Sequence, residues 1–187
     1  MLNMADKIWT RKSVLFTMAS GLLMLIAAAL FFSGVWRGVA PEQKGAVVGG
    51  PAPDFRLADM NGRQLSLQQF RGRKVLLAFW ASWCPPCRAE MASLQRLHDN
   101  PAVENLTVLA INAGETREQV AAFVARRQFS LPVLLDAEGI VQRDYGVYQL
   151  PVAFLVDGKG RIVARHLGLR DWNSAEAIAE INRLGRE

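Results

Sequence analysis

The sequence predicts one α/β layered domain carried behind a long apolar segment, and three observations predict it. Short apolar runs of strand length at 75–80, 106–111, 133–135 and 152–156 alternate with stretches whose apolar residues recur at helical spacing. The chain closes on a hairpin signal followed by a last helix with one apolar face. Positions 13–36 hold 24 consecutive residues without a charged side chain. A chain of 187 residues has room for one ordinary domain and such an extra piece.

The apolar segment comes first. As a helix it would span roughly 36 Å, enough to cross a hydrocarbon core of about 30 Å. Lys7, Arg11 and Lys12 precede it against a single Asp6, so the positive-inside rule leaves residues 1–12 in the cytoplasm and exports the chain beyond Trp36. A cleaved signal peptide is the rival reading, with Gly38-Val39-Ala40 as a cleavage site. The run exceeds the roughly 7–15 residues of a signal h-region, and Arg37 would fall between it and the cut. The reading is therefore a transmembrane signal anchor at 13–36, single-pass in a bacterial-type inner membrane, with the exported part periplasmic.

Residues 37–53 change to Gly, Pro, Ala and Val with scattered charges and read as a linker, about 58 Å long at full extension. After Trp36 the chain holds 19 Lys/Arg against 16 Asp/Glu, with no basic block interleaved with aromatics. That balance argues against nucleic acid as a partner.

The domain is read over 54–187. Residues 55–57 and 64–65 flank the polar turn Asp59-Met60-Asn61-Gly62 and form a hairpin. Ser66 and Gln69 stand at capping-box spacing over a helical turn to Phe70. The run 75–80 reads as a strand buried on both faces. Met91, Leu94 and Leu97 then mark a helix over 85–98, and 106–111 a second buried strand. Thr116 with Gln119 opens a helix running to about Arg127. A strand at 133–135 and a short helix at 140–145, closed by Gly146, come next. Strands at 152–156 and 161–165 are joined by Asp157-Gly158-Lys159-Gly160. Asn173 and Glu176 open the last helix, with Ala177, Ile178, Ile181 and Leu184 on one face.

Both cysteines of the chain stand together in Trp83-Cys84-Pro85-Pro86-Cys87. Two cysteines separated by only two residues do not make a disulfide framework. His98 and His166 lie at no ligand spacing from them, and Arg88 rather than His follows Cys87, which excludes a haem-attachment motif. A C-x-x-C alone still admits two inert buried cysteines or half of a metal site. Here the strand 75–80 runs into the pair and the helix from Pro85 runs out of it, in an exported domain with no other cysteine. That context favours thiol–disulfide exchange, which needs a nucleophilic thiolate and a second thiol within reach. The first cysteine would sit at the helix N-terminus, where N–H groups and the dipole favour its anion. Pro85 suits the first turn. Because Pro85 and Pro86 both lack an N–H, the Cys87 amide is the first backbone donor available to Cys84, which predicts a less acidified Cys84 thiol.

The segment from Phe79 to Glu90, FWASWCPPCRAE, resembles the active-site segment of the TlpA/ResA branch of the thioredoxin superfamily. The lead-in Gly50-Pro51-Ala52-Pro53-Asp54-Phe55, the stretch from Asn61 to Arg73 and Leu150-Pro151 before 152–158 extend the resemblance from about residue 50 to the end. It implies a thioredoxin-like fold with an N-terminal hairpin and a central helix–strand insert, which 116–135 fits. Cys84 would be the nucleophile and Cys87 the resolving thiol. The Leu150–Pro151 peptide would be cis, against the disulfide, and would present the Leu150 backbone to an extended substrate segment. Glu90 would modulate the thiols or accept the Cys87 proton, although an exposed helix glutamate is the commoner fate of such a residue. Many thioredoxins carry a buried aspartate where Ala78 stands, so that group's proton handling does not carry over. Trp80 reads as a core aromatic and Trp83 as a surface aromatic beside the disulfide. Asn112 and Glu115 resemble a family loop near the site, and an ordinary strand-to-helix turn explains them almost as well.

The function expected is a thiol–disulfide oxidoreductase that needs no cofactor and reduces disulfides of exported proteins, with apocytochromes c or copper-site proteins as the substrates the resemblance suggests. A membrane electron donor of the thiol-reducing type would recharge it. The alternatives are a thiol oxidase and a copper-binding or metal-delivery module using the same thiolates, with Met60 and Met91 assisting. Peroxide reduction is set aside: such a site wants Thr or Ser three residues before the cysteine, and Ala81 stands there.

Overall fold

The computed structural model describes residues 22–26, 28–29 and 45–184. The first two short stretches are helical with exposed side chains. The rest of the expected anchor, residues 1–12 and linker positions 37–44 lie outside the described residues. Among those described, no helix is long and apolar enough to cross a membrane.

The second of the chain's two units, Gln43–Glu187, carries a seven-stranded mixed sheet of order β2-β1-β5-β4-β3-β6-β7. Its elements are β1 (Arg56–Asp59), β2 (Gln64–Ser66), a 3-10 turn (Leu67–Phe70), β3 (Lys74–Trp80), α1 (Pro85–His98), β4 (Leu106–Ala113) and α2 (Arg117–Arg127). They continue with β5 (Val133–Asp136), α3 (Ile140–Asp144), β6 (Val152–Val156), β7 (Ile162–Leu167) and α4 (Ala175–Arg183). The strands β3, β4 and β5 are parallel neighbours, while β6 runs antiparallel to β3 and β7 to β6. The expected insert, α2 with β5, places β5 between β4 and the N-terminal hairpin.

All seven residues of β3 are buried, as expected of a central strand covered on both faces. Alternation divides them. Val75, Leu77 and Phe79 face one core with Leu109, Ile111, Phe154 and Tyr145. Leu76, Ala78 and Trp80 face the other with Met91, Leu94 and Leu97 of α1, Val120 of α2, and Ala177 and Ile181 of α4. Each large side chain so buried contributes about 1.5–3 kcal/mol, so the central strand and α1 hold each other firmly just before the cysteine pair.

Two local readings change. The last helix is capped by Ser174, whose hydroxyl accepts the Ala177 N–H, and not by Asn173. The Asn173 side-chain oxygen is occupied by the Asn100 amide at 2.8 Å. The stretch 45–53, which its composition assigns to a linker, packs on the domain. Ala46 and Ala52 are buried, the Gly49 N–H donates to Ile162 O, the Ile162 N–H donates to Gly50 O, and the buried Tyr145 hydroxyl donates to Pro53 O at 2.7 Å. Small flexible residues there make a bridge along β7 that composition does not reveal.

Candidate active site

The end of β3 delivers the cysteine pair. After Trp80, residues 81–83 turn, with the Cys84 N–H donating to Ala81 O, and Cys84 becomes the N-cap of α1. Pro85 and Pro86 fill the first two helical positions, where no intrahelical donor is lost. The Cys87 N–H then donates to Cys84 Sγ at 3.3 Å, the contact expected from two successive prolines. Cys84 and Cys87 form a disulfide with an S–S distance of 2.05 Å. Cys87 is fully buried and Cys84 nearly so, whereas Trp83 beside them is 68% exposed. Trp80 is the core aromatic, packed on Phe123 of α2.

The Leu150–Pro151 peptide is cis. Val152 pairs with Phe79, so Pro151 stands at the end of the sheet from which β3 runs to Cys84. The Gly168 N–H donates to Pro151 O at 2.9 Å, and Leu150 packs against the core that contains both cysteines.

Glu90 is not an exposed helix glutamate. It lies on α1 three residues after Cys87 and is 2% exposed. Its Oε1 accepts the Trp172 Nε1–H at 3.0 Å and the Arg170 N–H at 3.2 Å. Burial raises its carboxyl to about 7, and these two hydrogen bonds oppose the rise by favouring the carboxylate. A carboxyl poised there can hold or release a proton near neutral pH.

Glu115 is equally buried and sits in the loop after β4. It accepts the Ser82 N–H at 2.6 Å, the Ser82 hydroxyl, and the Asn112 Nδ2–H at 2.7 Å. The β4–α2 loop thereby grips the segment two residues before Cys84. The resemblance of the Asn112–Glu115 segment to a family loop, which an ordinary turn explains almost as well, does not reveal this contact, and Trp172 and Arg170 are not among the residues that the sequence singles out. No local pattern marks the latter pair: the need for two donors follows only from the burial of Glu90, which is a fact of the fold.

The sequence profile of the AhpC/TSA family matches residues 48–165. The thiol–disulfide oxidoreductase ResA of Geobacillus thermodenitrificans is 34% identical over 152 residues, covering 81% of this chain and 87% of that protein. The thioredoxin-like protein YneN of Bacillus subtilis is 36% identical over 152 residues, covering 80% and 88%. Among solved structures, a Chlorobium tepidum protein assigned as the thiol:disulfide interchange protein DsbE superposes with a TM-score of 0.69 at 29% identity, over 75% of this chain and 99% of that one. With a cysteine disulfide at a helix N-terminus, a cis-proline at the same sheet end and this breadth of similarity, the chain belongs to the AhpC/TSA family as a thioredoxin-like thiol–disulfide oxidoreductase.

Proposed function

We propose that this protein is a membrane-tethered reductant that cleaves disulfides of exported proteins through Cys84 and Cys87. The observation that carries the reading is the pairing of a disulfide at the N-terminus of α1 with a buried, near-neutral carboxyl three residues beyond the resolving cysteine. In the reduced protein the Cys84 thiolate attacks a substrate disulfide. One substrate sulfur leaves as a thiolate, and the other stays bound to Cys84. Cys87 then gives its proton to Glu90 and attacks Cys84 Sγ. The Cys84–Cys87 disulfide forms, and the second substrate sulfur departs as a thiolate. Two electrons pass to the substrate, and two protons taken up from Glu90 and water complete its two thiols. In this reading Trp83, Leu150 and Pro151 form the contact surface for the substrate segment, while Pro85 and Pro86 tune Cys84.

The apolar segment 13–36 supports tethering, and a reductant working in an oxidising compartment needs a membrane donor to restore its thiols. Exported thiol proteins, apocytochromes c and copper-site proteins among them, are the substrates proposed, on the resemblance of the active-site segment to the TlpA/ResA branch.

Two measurements test the reading. Cys87→Ala in the full chain, expressed in its own membrane, traps substrates on Cys84 as mixed disulfides that a thiol reductant releases. The reduction potential of the pair is expected near the reducing end of the thioredoxin range, about −270 mV, and a value near −120 mV would refute a reductant.

A further inference from the structure

We propose that Trp172, together with the backbone N–H of Arg170, is a positioning residue for disulfide exchange, fixing Glu90 Oε1 as a permanent acceptor so that the proton exchanged with Cys87 travels on Oε2. The inference rests on the reading of Glu90 as the proton acceptor of Cys87.

Both partners of Glu90 can only donate. An indole N–H has no lone pair to offer, and neither has a backbone N–H. Both converge on one oxygen, Oε1, at 3.0 and 3.2 Å. An oxygen facing two donors accepts in either protonation state of the carboxyl. The proton of the neutral acid therefore resides on Oε2, and the orientation of the group is set before the reaction begins.

The loop that supplies these donors, between β7 and α4, is itself held at several points. Ser93 of α1 accepts the Trp172 N–H at 3.1 Å, and its hydroxyl lies 3.2 Å from Arg170 O. The Trp172 ring is fully buried, with the Arg170 guanidinium 4.9 Å from its centroid and the edge-on His166 ring at 5.2 Å. Arg170 in turn binds Glu180 at 2.8 Å and the His166 ring. The titratable and charged groups around Glu90 are thus Cys87 on its own helix, His166 on β7, Arg170 and Asp171 in the loop, and Glu176 and Glu180 on α4. Asp171 is engaged by Arg96, while Glu176 and Glu180 both face Arg170. The only hydrogen bonds Glu90's side chain takes among the described residues are the two from the loop, so removing one changes the proton affinity of Glu90 and leaves the cysteines' own contacts in place.

The reaction isolates this step. When reduced full-length protein meets a chromogenic aryl disulfide, attack by Cys84 releases the first aryl thiolate. Attack by Cys87 on the mixed disulfide then releases the second, its proton passing to Glu90 Oε2. The second release is expected to change with pH through a midpoint set by Glu90. Trp172→Phe keeps the apolar ring and deletes the N–H. It should move that midpoint up by about one pH unit, changing the second-release rate by up to about tenfold between the two midpoints, and leave the first release as it was. Glu90→Gln should abolish the midpoint. If Glu90→Gln abolishes it and Trp172→Phe leaves it in place, the positioning role is overturned and the Glu90 reading stands. If Glu90→Gln leaves it in place, the Glu90 reading fails and this inference with it. Should Trp172→Phe not fold, Ser93→Ala, which releases the Trp172 N–H from α1, should shift the midpoint in the same direction by less; no shift in that folded variant overturns the role.

Discussion

Glu115 accepts the Ser82 amide at 2.6 Å, and this bond ties the loop after β4 to the segment that delivers Cys84. The same carboxylate takes the Asn112 side chain, itself fully buried on the strand beside β3. Glu115→Ala would leave the half-buried Ser82 donors and the buried Asn112 amide without their acceptor, at about 1–3 kcal/mol for the buried group and less for the half-buried one. The oxidised protein is expected to lose roughly 2–4 kcal/mol, read as a lower denaturant midpoint at unchanged slope. Glu115→Gln keeps an acceptor oxygen and should lose about half as much. Equal midpoints for parent and Glu115→Ala would show that this clamp contributes nothing.

The Tyr145 hydroxyl fixes the start of the domain by donating to Pro53 O at 2.7 Å. Tyr145→Phe removes the donor and keeps the ring, which packs on Phe79 and Phe154 at centroid distances of 5.3 and 5.2 Å. A loss of about 1 kcal/mol is expected, with faster amide exchange at Gly49 and Ala52. Uniform exchange between the two proteins would mean that the 45–53 stretch is held by its other contacts alone.

What the sequence made legible is what short-range chemistry encodes. The bounds of α1 come from a cap, two prolines and an apolar repeat, all within its own span. The run 75–80 announced β3 because a strand covered on both faces has no polar positions. The burial of Glu90 was not legible, since its donors lie 80 and 82 residues away in a loop whose path depends on β7 and α4. Glu115 is similar: its partner Ser82 is 33 residues off, and nothing in Asn-Ala-Gly-Glu says which way the carboxylate turns. At the last helix, Asn173 and Ser174 are both good caps. The choice fell to Ser174 because Asn100 takes the other side chain.

Pro86 occupies the second helical position, from which N-cap side chains ordinarily receive a hydrogen bond. In its place Cys84 Sγ has the Cys87 N–H alone, at 3.3 Å, among the described residues. Pro86→Ala returns a donor to the cap without changing Pro85 at the first position. The Cys84 thiol of the reduced protein should become more acidic by about one pH unit, followed by thiolate absorbance in the ultraviolet. Pro85→Gly should act in the same direction by less. A titration curve that does not move in either variant would mean that the helix terminus, and not the count of nearby N–H groups, sets the acidity of Cys84.

Glu90 gives the oxidised protein a pH dependence whose sign is set by its environment. Its carboxyl stands at about 7 when folded, against 4.5 as the ordinary value. Between those values the folded chain binds a proton that the unfolded chain has released, so stability falls as pH rises. The contribution is fully present below pH 4.5 and lost once pH passes about 7, a difference of roughly 3 kcal/mol. Glu180 acts in a separate window with the opposite sign. Burial would raise its carboxyl, but hydrogen bonds from Arg170 and His166 prevail and hold it below the ordinary value, so its contribution is present above that value and lost on further acidification. Urea unfolding of the disulfide-intact protein should therefore give a stability that declines from about pH 5 to pH 7.5. In Glu90→Gln the side-chain carbonyl can still accept from Trp172 and Arg170, and no proton is exchanged. That variant should show no decline across this interval and should exceed the parent in stability above pH 7. If the parent is level across the same range, the Glu90 carboxyl is already ionised in the folded protein and cannot serve Cys87 as a proton reservoir near neutral pH.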